Sequence, residues 1–158
     1  MSTAAAPVRI RTARAEDAAG ILALEAAFPT DRMSARSVRR FIAAGAVVVA
    51  VCGRAIVGAL VLLLRRNSRW ARIYSVAVDP VWRGRGIGRR LVTGAATRAR
   101  AAGCQGIGLE VRADNDAARA LYAALGYHEV AQLPSYYEDG EPGIRLRKPF
   151  TPLVQKYR

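Results

Sequence analysis

Three glycines at alternate positions, Gly84, Gly86 and Gly88, lie in the stretch VAVDPVWRGRGIGRRLV, between an apolar β-branched run and a helical pattern. Glycines so spaced let successive amide N–H groups turn toward one centre. The N-terminus of the following helix adds about half a positive charge, and the two together make an anion cradle. Two better-known phosphate loops do not fit. A P-loop requires GxxxxGK[ST], and no lysine follows Gly88. A dinucleotide fingerprint requires GxGxxG, whereas the spacing here is GxGxG with Arg89 where the third glycine would fall.

Other chemistry has little to be built from. The chain holds one histidine, His128, so neither a histidine metal site nor a serine/histidine triad is expected, and no metal cofactor. The two cysteines, Cys52 and Cys104, form no CxxC pair and read as small buried hydrophobes. Within LEVRADNDAARALYAALGY the carboxylate set in a strand is Glu110, between Leu109 and Val111, and Tyr122 follows in the next helical pattern. On spacing alone, Glu110 also reads as a charge on the outer side of a strand, and Tyr122 as core packing.

The elements that must position these residues can be read from periodicity. At 158 residues with 52% hydrophobic content, the chain can bury a single core. One domain is expected over residues 8–150, flanked by tails at 1–7 and 151–158. The apolar runs 46–52 and 55–64 are too short to span a bilayer, and residues 1–7 do not resemble a signal peptide, so a cytoplasmic protein with no membrane partner is expected.

Alternation predicts a strand over 8–12, and helical spacing predicts helices over 16–28 and from Ser34 as N-cap to Gly45. The runs 46–52 and 55–64 meet at Gly53-Arg54 as a hairpin, and 70–78 is a further strand closed by Asp79-Pro80. A helix over about 88–102, a strand over 106–112, a helix capped by Asp114, a short strand over 127–131 and a last strand over 143–147 complete the order. Two crossover helices among hairpins predict a mixed sheet, antiparallel at first and parallel where helices intervene.

The motif RGRGIG after VAVDP and before RRLV resembles the acyl-coenzyme A signature of the GNAT superfamily of N-acetyltransferases. That signature is an arginine or glutamine, two residues, glycine, one residue, then glycine or alanine; Arg83, Gly86 and Gly88 fill it. RTARAEDAAGILALE, LEVRADNDAARALYAALGY and SYYEDGE are similar to other segments of the family, so the resemblance covers nearly the whole chain.

It implies an α/β fold with a mixed sheet of six to seven strands, about four helices and a splay between the fourth and fifth strands. It also implies an acetyl-coenzyme A-dependent N-acetyltransferase. Val76, Ala77 and Val78 would offer backbone groups to the pantetheine arm. Amides from Arg83 through Gly84, Arg85, Gly86, Ile87 and Gly88 to Arg89 would hold the diphosphate, and Asn115 would touch the cofactor. The match with the bacterial ribosomal-protein alanine N-acetyltransferases implies Glu110 as general base and Tyr122 as general acid. The loop with Asp31, Arg32 and Met33, and the pair Tyr136-Tyr137, would bind the acceptor.

The acceptor class can be narrowed by magnitude. At neutral pH an α-amine of pKa ~7.8 costs about 1 kcal/mol to deprotonate, against about 4 to 5 kcal/mol for lysine at ~10.4. A single, partly exposed glutamate suits the former. A chain of net charge +13, almost all from arginine, would repel polyamines and aminoglycosides. A protein or peptide N-terminus, such as that of a ribosomal protein, is therefore the expected acceptor, with the enzyme a monomer or homodimer. A lysine or small-amine acceptor, or a non-catalytic nucleic-acid-binding module drawn by the basic charge, are the other readings.

Overall fold

The structure, a computed structural model, describes residues 6–151. The expected tails at 1–7 and 151–158 lie largely outside the described residues. Seven strands form one sheet in the order β1-β2-β3-β4-β5-β7-β6. β1 (Val8–Thr12), β2 (Val47–Cys52), β3 (Ala55–Leu63) and β4 (Trp70–Val78) run as an antiparallel meander. Helix α3 (Ile87–Ala101) then carries the chain across to β5 (Gly106–Arg112), parallel to β4. Beyond α4 (Asp116–Ala124), β6 (His128–Leu133) does not join β5, because β7 (Gly143–Pro149) inserts between them and pairs antiparallel with both. The expectation of parallel pairing at both crossover helices is thus corrected at the second.

The β2 run is buried on both sides because successive side chains serve different layers. Val48 and Ala50 join the core under α3 and α4, while Val47, Val49 and Val51 join the core under α1 (Ala18–Glu25) and α2 (Ala35–Ala43). Ser34 caps α2 as expected, its side chain accepting from the Ser37 amide. The expected helix over 16–28 is shorter. A 3-10 turn at Ala15–Asp17 precedes α1, and the Asp17 carboxylate accepts from the Arg14 amide at 2.7 Å and from Arg11 Nη1 at 2.7 Å. Asn115, not Asp114, caps α4, its Oδ1 accepting from the Ala118 amide at 3.1 Å. Asp114 is instead ion-paired with Arg112 at 3.2 Å.

The feature that shapes the site is a bulge in β4. Val61 pairs with Ser75 and Leu62 with Ile73, which leaves Tyr74 as an extra residue. The extra residue reverses which face each later side chain meets. Ala71 and Ile73 pack under α3, whereas Ala77 joins the opposite core. Pairing between β4 and β5 covers Trp70/Gly106, Ala71/Ile107 and Arg72/Gly108 and stops there, one residue before the bulge region. A bulge bends its strand. The bend turns β4 away from β5 and opens the splay.

Candidate active site

The splay is a cleft of about 460 Å³, within the range of small-molecule sites. One wall is β4 from Ile73 to Ala77 and the other is β5 from Leu109 to Arg112, with Tyr122 of α4 and Tyr137 beyond it. Past Arg72 the facing edge of β4 has no partner strand, so its backbone donors and acceptors are available to an extended ligand. Of the strand residues singled out from sequence, Val76 and Ala77 line this cleft, and Val78 lies at its end beside the start of α3.

The glycine cradle has a conformational cause. Gly84 and Gly86 have φ of +78° and +77°, with nothing within 4 Å of where a Cβ would stand. Left-handed backbone is their requirement, and space is not. Arg85 between them has negative φ, so the sign alternates along the loop, the arrangement that turns consecutive N–H groups to one side. Gly86 is the N-cap of α3, whose first amides, at Ile87, Gly88 and Arg89, have no intrahelical partner. A Cβ on Gly88 would meet Leu121 at 3.6 Å and Val78 at 3.8 Å, ordinary contacts. The signature's tolerance of alanine at that place follows. These contacts also set the start of α3 against the end of β4 and against α4, at the mouth of the splay.

The arginines of the loop divide by partner. Arg83 and Arg85 lie over the rings of Phe28 and Trp82, at 5.9 Å and 4.6 Å from their centroids, and Arg89 is exposed. Arg90 is structural: its Nη1 donates to Val8 O at 2.8 Å and ties α3 to β1.

Glu110 lines the cleft and is partly exposed as expected, but it is not solitary, which corrects the sequence expectation. Its side chain is 12% accessible; Oε2 accepts from Arg72 Nε at 3.1 Å and Oε1 from Arg145 Nε at 3.4 Å. Arg145 reaches it because β7 lies beside β5 with Arg145 directly opposite Glu110. A carboxylate offers about four lone-pair sites, so about two remain for water or an amine.

Tyr122 is buried, and its ring meets Tyr127 edge-on at 5.4 Å. Burial, reinforced by Tyr127 and Tyr137, pushes its phenol well above the usual tyrosine range, so the group keeps its proton. Tyr127, fully enclosed, leaves its hydroxyl without a partner and is pushed up to about 12 by burial. Asn115 lines the same cleft while capping α4.

The remaining predicted residues border a second hollow, where Asp31, Arg32 and Met33 face Tyr136 and Tyr137 across Glu110. Arg112 fastens both walls: it pairs with Asp31 at 3.7 Å, with Asp139 at 2.5 Å, and lies 5.1 Å over the Tyr137 ring. Tyr137 is pushed up to about 12, by burial first and then by Tyr136 and Glu110. Arg32 donates to the Phe28 carbonyl.

Sequence reasoning missed Arg72, Arg145, Arg112 and Glu25. Glu25 is buried at the end of α1, lines the cleft and accepts from the Met33 amide at 3.1 Å; burial raises its pKa above the usual carboxylate range. A carboxylate inside LALEAAF, among apolar helical positions, was the available signal. Cys52 and Cys104 are free and only partly buried, short of the full burial expected. Among the described residues no cluster of three or more His, Cys, Asp or Glu could hold a metal. No described helix is long and apolar enough to cross a membrane.

A meander joined through one parallel pair to a β5-β7-β6 sheet, opened at that pair and fronted by a glycine cradle, defines an acyl-coenzyme A N-acyltransferase fold. The chain belongs to the acetyltransferase (GNAT) family, whose model matches residues 17–127. It is similar to the N-alpha-acetyltransferase RimI of Mycobacterium tuberculosis, 45% identical over 77 residues that cover 48% of this chain and 47% of that protein. The [ribosomal protein bS18]-alanine N-acetyltransferase of Salmonella typhimurium is 40% identical over 67 residues, 42% of this chain and 45% of that one. The matched segments thus span less than half the length of these curated relatives. Among solved structures, the NatC complex bound to Gag peptide and CoA has a chain that superimposes with a TM-score of 0.82 and 25% identity, covering 91% of this chain and 99% of that one.

Proposed function

We propose that this protein transfers the acetyl group of acetyl-coenzyme A to the N-terminal α-amine of a protein or peptide. The observation that carries the reading is that Glu110 and Tyr122, a paired carboxylate and a proton-bearing phenol, line the same splayed cleft. The unpaired edge of β4 suits the amide groups of the pantetheine arm, and the alternating-φ glycine loop suits its diphosphate. Arg83, Arg85 and Arg89 belong to that loop and are exposed, available to the cofactor's phosphates, and Asn115 lines the cleft the arm would fill.

In this reading Glu110 takes a proton from the acceptor ammonium through a water held at its free lone pairs. Amides on the opened edge of β4 donate to the thioester oxygen as charge grows there. The amine nitrogen bonds to the acetyl carbon, the carbon–sulfur bond breaks, Tyr122 gives its proton to the departing thiolate, and the second proton on the nitrogen leaves through water and restores the phenol. A phenol kept above its usual range does not lose that proton before the sulfur needs it.

The acceptor enters between Asp31-Arg32-Met33 and Tyr136-Tyr137. We also read residues 8–150 as one acetyltransferase unit, supported by the single continuous sheet, and the compartment as cytoplasmic, in keeping with two free cysteines. The test is acetyl transfer to peptides beginning with Ala, Ser or Met against free lysine. A preference for the peptides supports the reading. Equal or faster reaction of lysine contradicts it and favours a lysine or small-amine acceptor.

A further inference from the structure

On the face of the sheet opposite α3 and α4, helices α1 and α2 cover the meander, and the β5-β7 half lies open. The charged side chains lining that open half are arginines, apart from Glu110. β5 carries glycine at 106 and 108, so the neighbouring strands' side chains fold flat across it. A Cβ at Gly106 would collide with the Trp70 ring, and one at Gly108 would lie 3.3 Å from Arg147 Cγ. Arg147 in turn stacks its guanidinium on the Trp70 ring, 4.6 Å from the centroid. Stacking of this kind holds an arginine in place while leaving its N–H groups free to bind.

Arg65 and Ser68, from the β3-β4 turn, wall the same shallow groove, and Arg72, Arg145 and Glu110 close its upper end. The groove therefore sets four arginines against one carboxylate. Arg72 and Arg145 already share Glu110, whereas Arg65 and Arg147 have no carboxylate partner among the described residues.

We infer that this groove is a docking surface for acidic side chains of the acceptor polypeptide, a few residues downstream of the amine that is acetylated. The inference rests on the proposed acetyl transfer to an N-terminus and deepens it. Continuity gives the register. Glu110 borders the cleft, the acceptor hollow and the groove alike, so a chain whose amine reaches Glu110 is carried past the arginines as it leaves. Gly106 lies four residues from Glu110 along β5, a span of about 13 Å that an extended acceptor crosses in about four residues. Acidic side chains at about the third to fifth positions then face Arg147 and Arg65. A basic segment there would meet Arg65 and Arg147, which have no carboxylate partner among the described residues, while the groove's one carboxylate, Glu110, is already shared by Arg72 and Arg145. The same charge that repels polycations thus becomes a filter on peptide sequence.

The experiment compares peptides sharing one first residue, with Asp and Glu, Ser, or Lys at positions three to five. Both acetylation and binding are measured, the latter by fluorescence anisotropy of labelled peptide in the presence of coenzyme A. The acidic peptide should show a KM about tenfold below the neutral one and lose that advantage in high salt, the basic peptide being worst. The double substitution Arg65→Glu, Arg147→Glu should invert the order, with the thermal shift from acetyl-coenzyme A retained as evidence of folding. Arg54→Glu, in the distant β2-β3 turn, should leave the order as it was.

Acetylation of all three peptides with equal KM overturns the groove and leaves the N-terminal activity standing. Charge-dependent binding of the acidic peptide without any acetylation upholds the groove and overturns the activity. Tight binding of a single-stranded RNA oligonucleotide, lost in the double variant and with no preference among peptides, overturns the groove in favour of nucleic acid.

Discussion

Arg72 Nε donates to Glu110 Oε2 at 3.1 Å, immediately above the last rung, Arg72/Gly108, at which β4 and β5 remain paired. The contact thus spans the apex of the splay and fixes the carboxylate at the point where the cleft begins. Arg145 holds the other oxygen from β7, so the carboxylate is gripped from both neighbouring strands. The grip leaves Glu110 little rotational freedom. In the proposed role as base, it would act through the lone pairs that face the cleft.

Glu110→Gln removes proton acceptance while keeping the size of the side chain. At neutral pH kcat/KM should fall about a hundredfold, and the deficit should shrink as pH approaches the pKa of the acceptor amine, because solvent then supplies the neutral nucleophile. Arg72→Ala should reproduce part of that loss by freeing the carboxylate, with Arg72→Lys, which can still reach it, intermediate. Steady-state kinetics of each variant as a function of pH, alone and combined with Glu110→Gln, is the check. An undiminished further loss on adding Arg72→Ala to Glu110→Gln would show that the arginine does not act through Glu110.

Tyr122→Phe removes the proposed proton donor without opening the core, since the ring is buried against Tyr127. We expect kcat to fall about a hundredfold, with coenzyme A affinity by calorimetry unchanged. The wild-type profile should show no loss of activity attributable to this phenol below about pH 10, the ordinary tyrosine value, because its folded pKa lies higher.

The glycine loop separates conformation from space. Gly86→Ala places a Cβ at φ +77° and should cost about 1 to 2 kcal/mol in backbone strain, chiefly as weakened coenzyme A binding. Gly88→Ala meets only contacts at 3.6 Å and 3.8 Å and should bind coenzyme A nearly as well as wild type. Titration calorimetry of the two variants decides between these outcomes.

Glu25 is a stability switch with a defined sign. Its folded pKa is raised by burial, so its favourable contribution is full below the unfolded value of about 4.3 and is lost as pH rises through the folded value. Glu25→Gln retains an acceptor for the Met33 amide and removes the charge. Its Tm relative to wild type should therefore rise between acidic and neutral pH. Glu25→Ala strands that amide and should lower Tm at every pH.

Much of this architecture could be read in advance because it is local. β4 and β5 fall at the expected residues, and Ser34 caps α2, since alternation and capping depend on near neighbours. Long-range pairing was less accessible. The insertion of β7 between β5 and β6, which brings Arg145 to Glu110, has no local signature. The bulge did leave a trace: in WARIYSVAV the apolar positions Ala71 and Ile73 are spaced by two, then Ile73 and Val76 by three. The Asp114 and Asn115 pair shows the opposite difficulty. Both residues can cap a helix, and the choice was made by Arg112, which claims Asp114. Arg112 itself, holding Asp31 and Asp139 together, joins residues far apart in the chain and could be recognised only in the fold.

The most direct measurement uses a peptide that carries both a free N-terminus and an internal lysine, incubated with acetyl-coenzyme A and the protein, then fragmented by mass spectrometry. One acetyl group is expected on the α-nitrogen, with transfer strongly reduced in Glu110→Gln and in Tyr122→Phe. Acetylation confined to the lysine side chain would overturn N-terminal transfer, and undiminished transfer by both variants would overturn the roles of Glu110 and Tyr122.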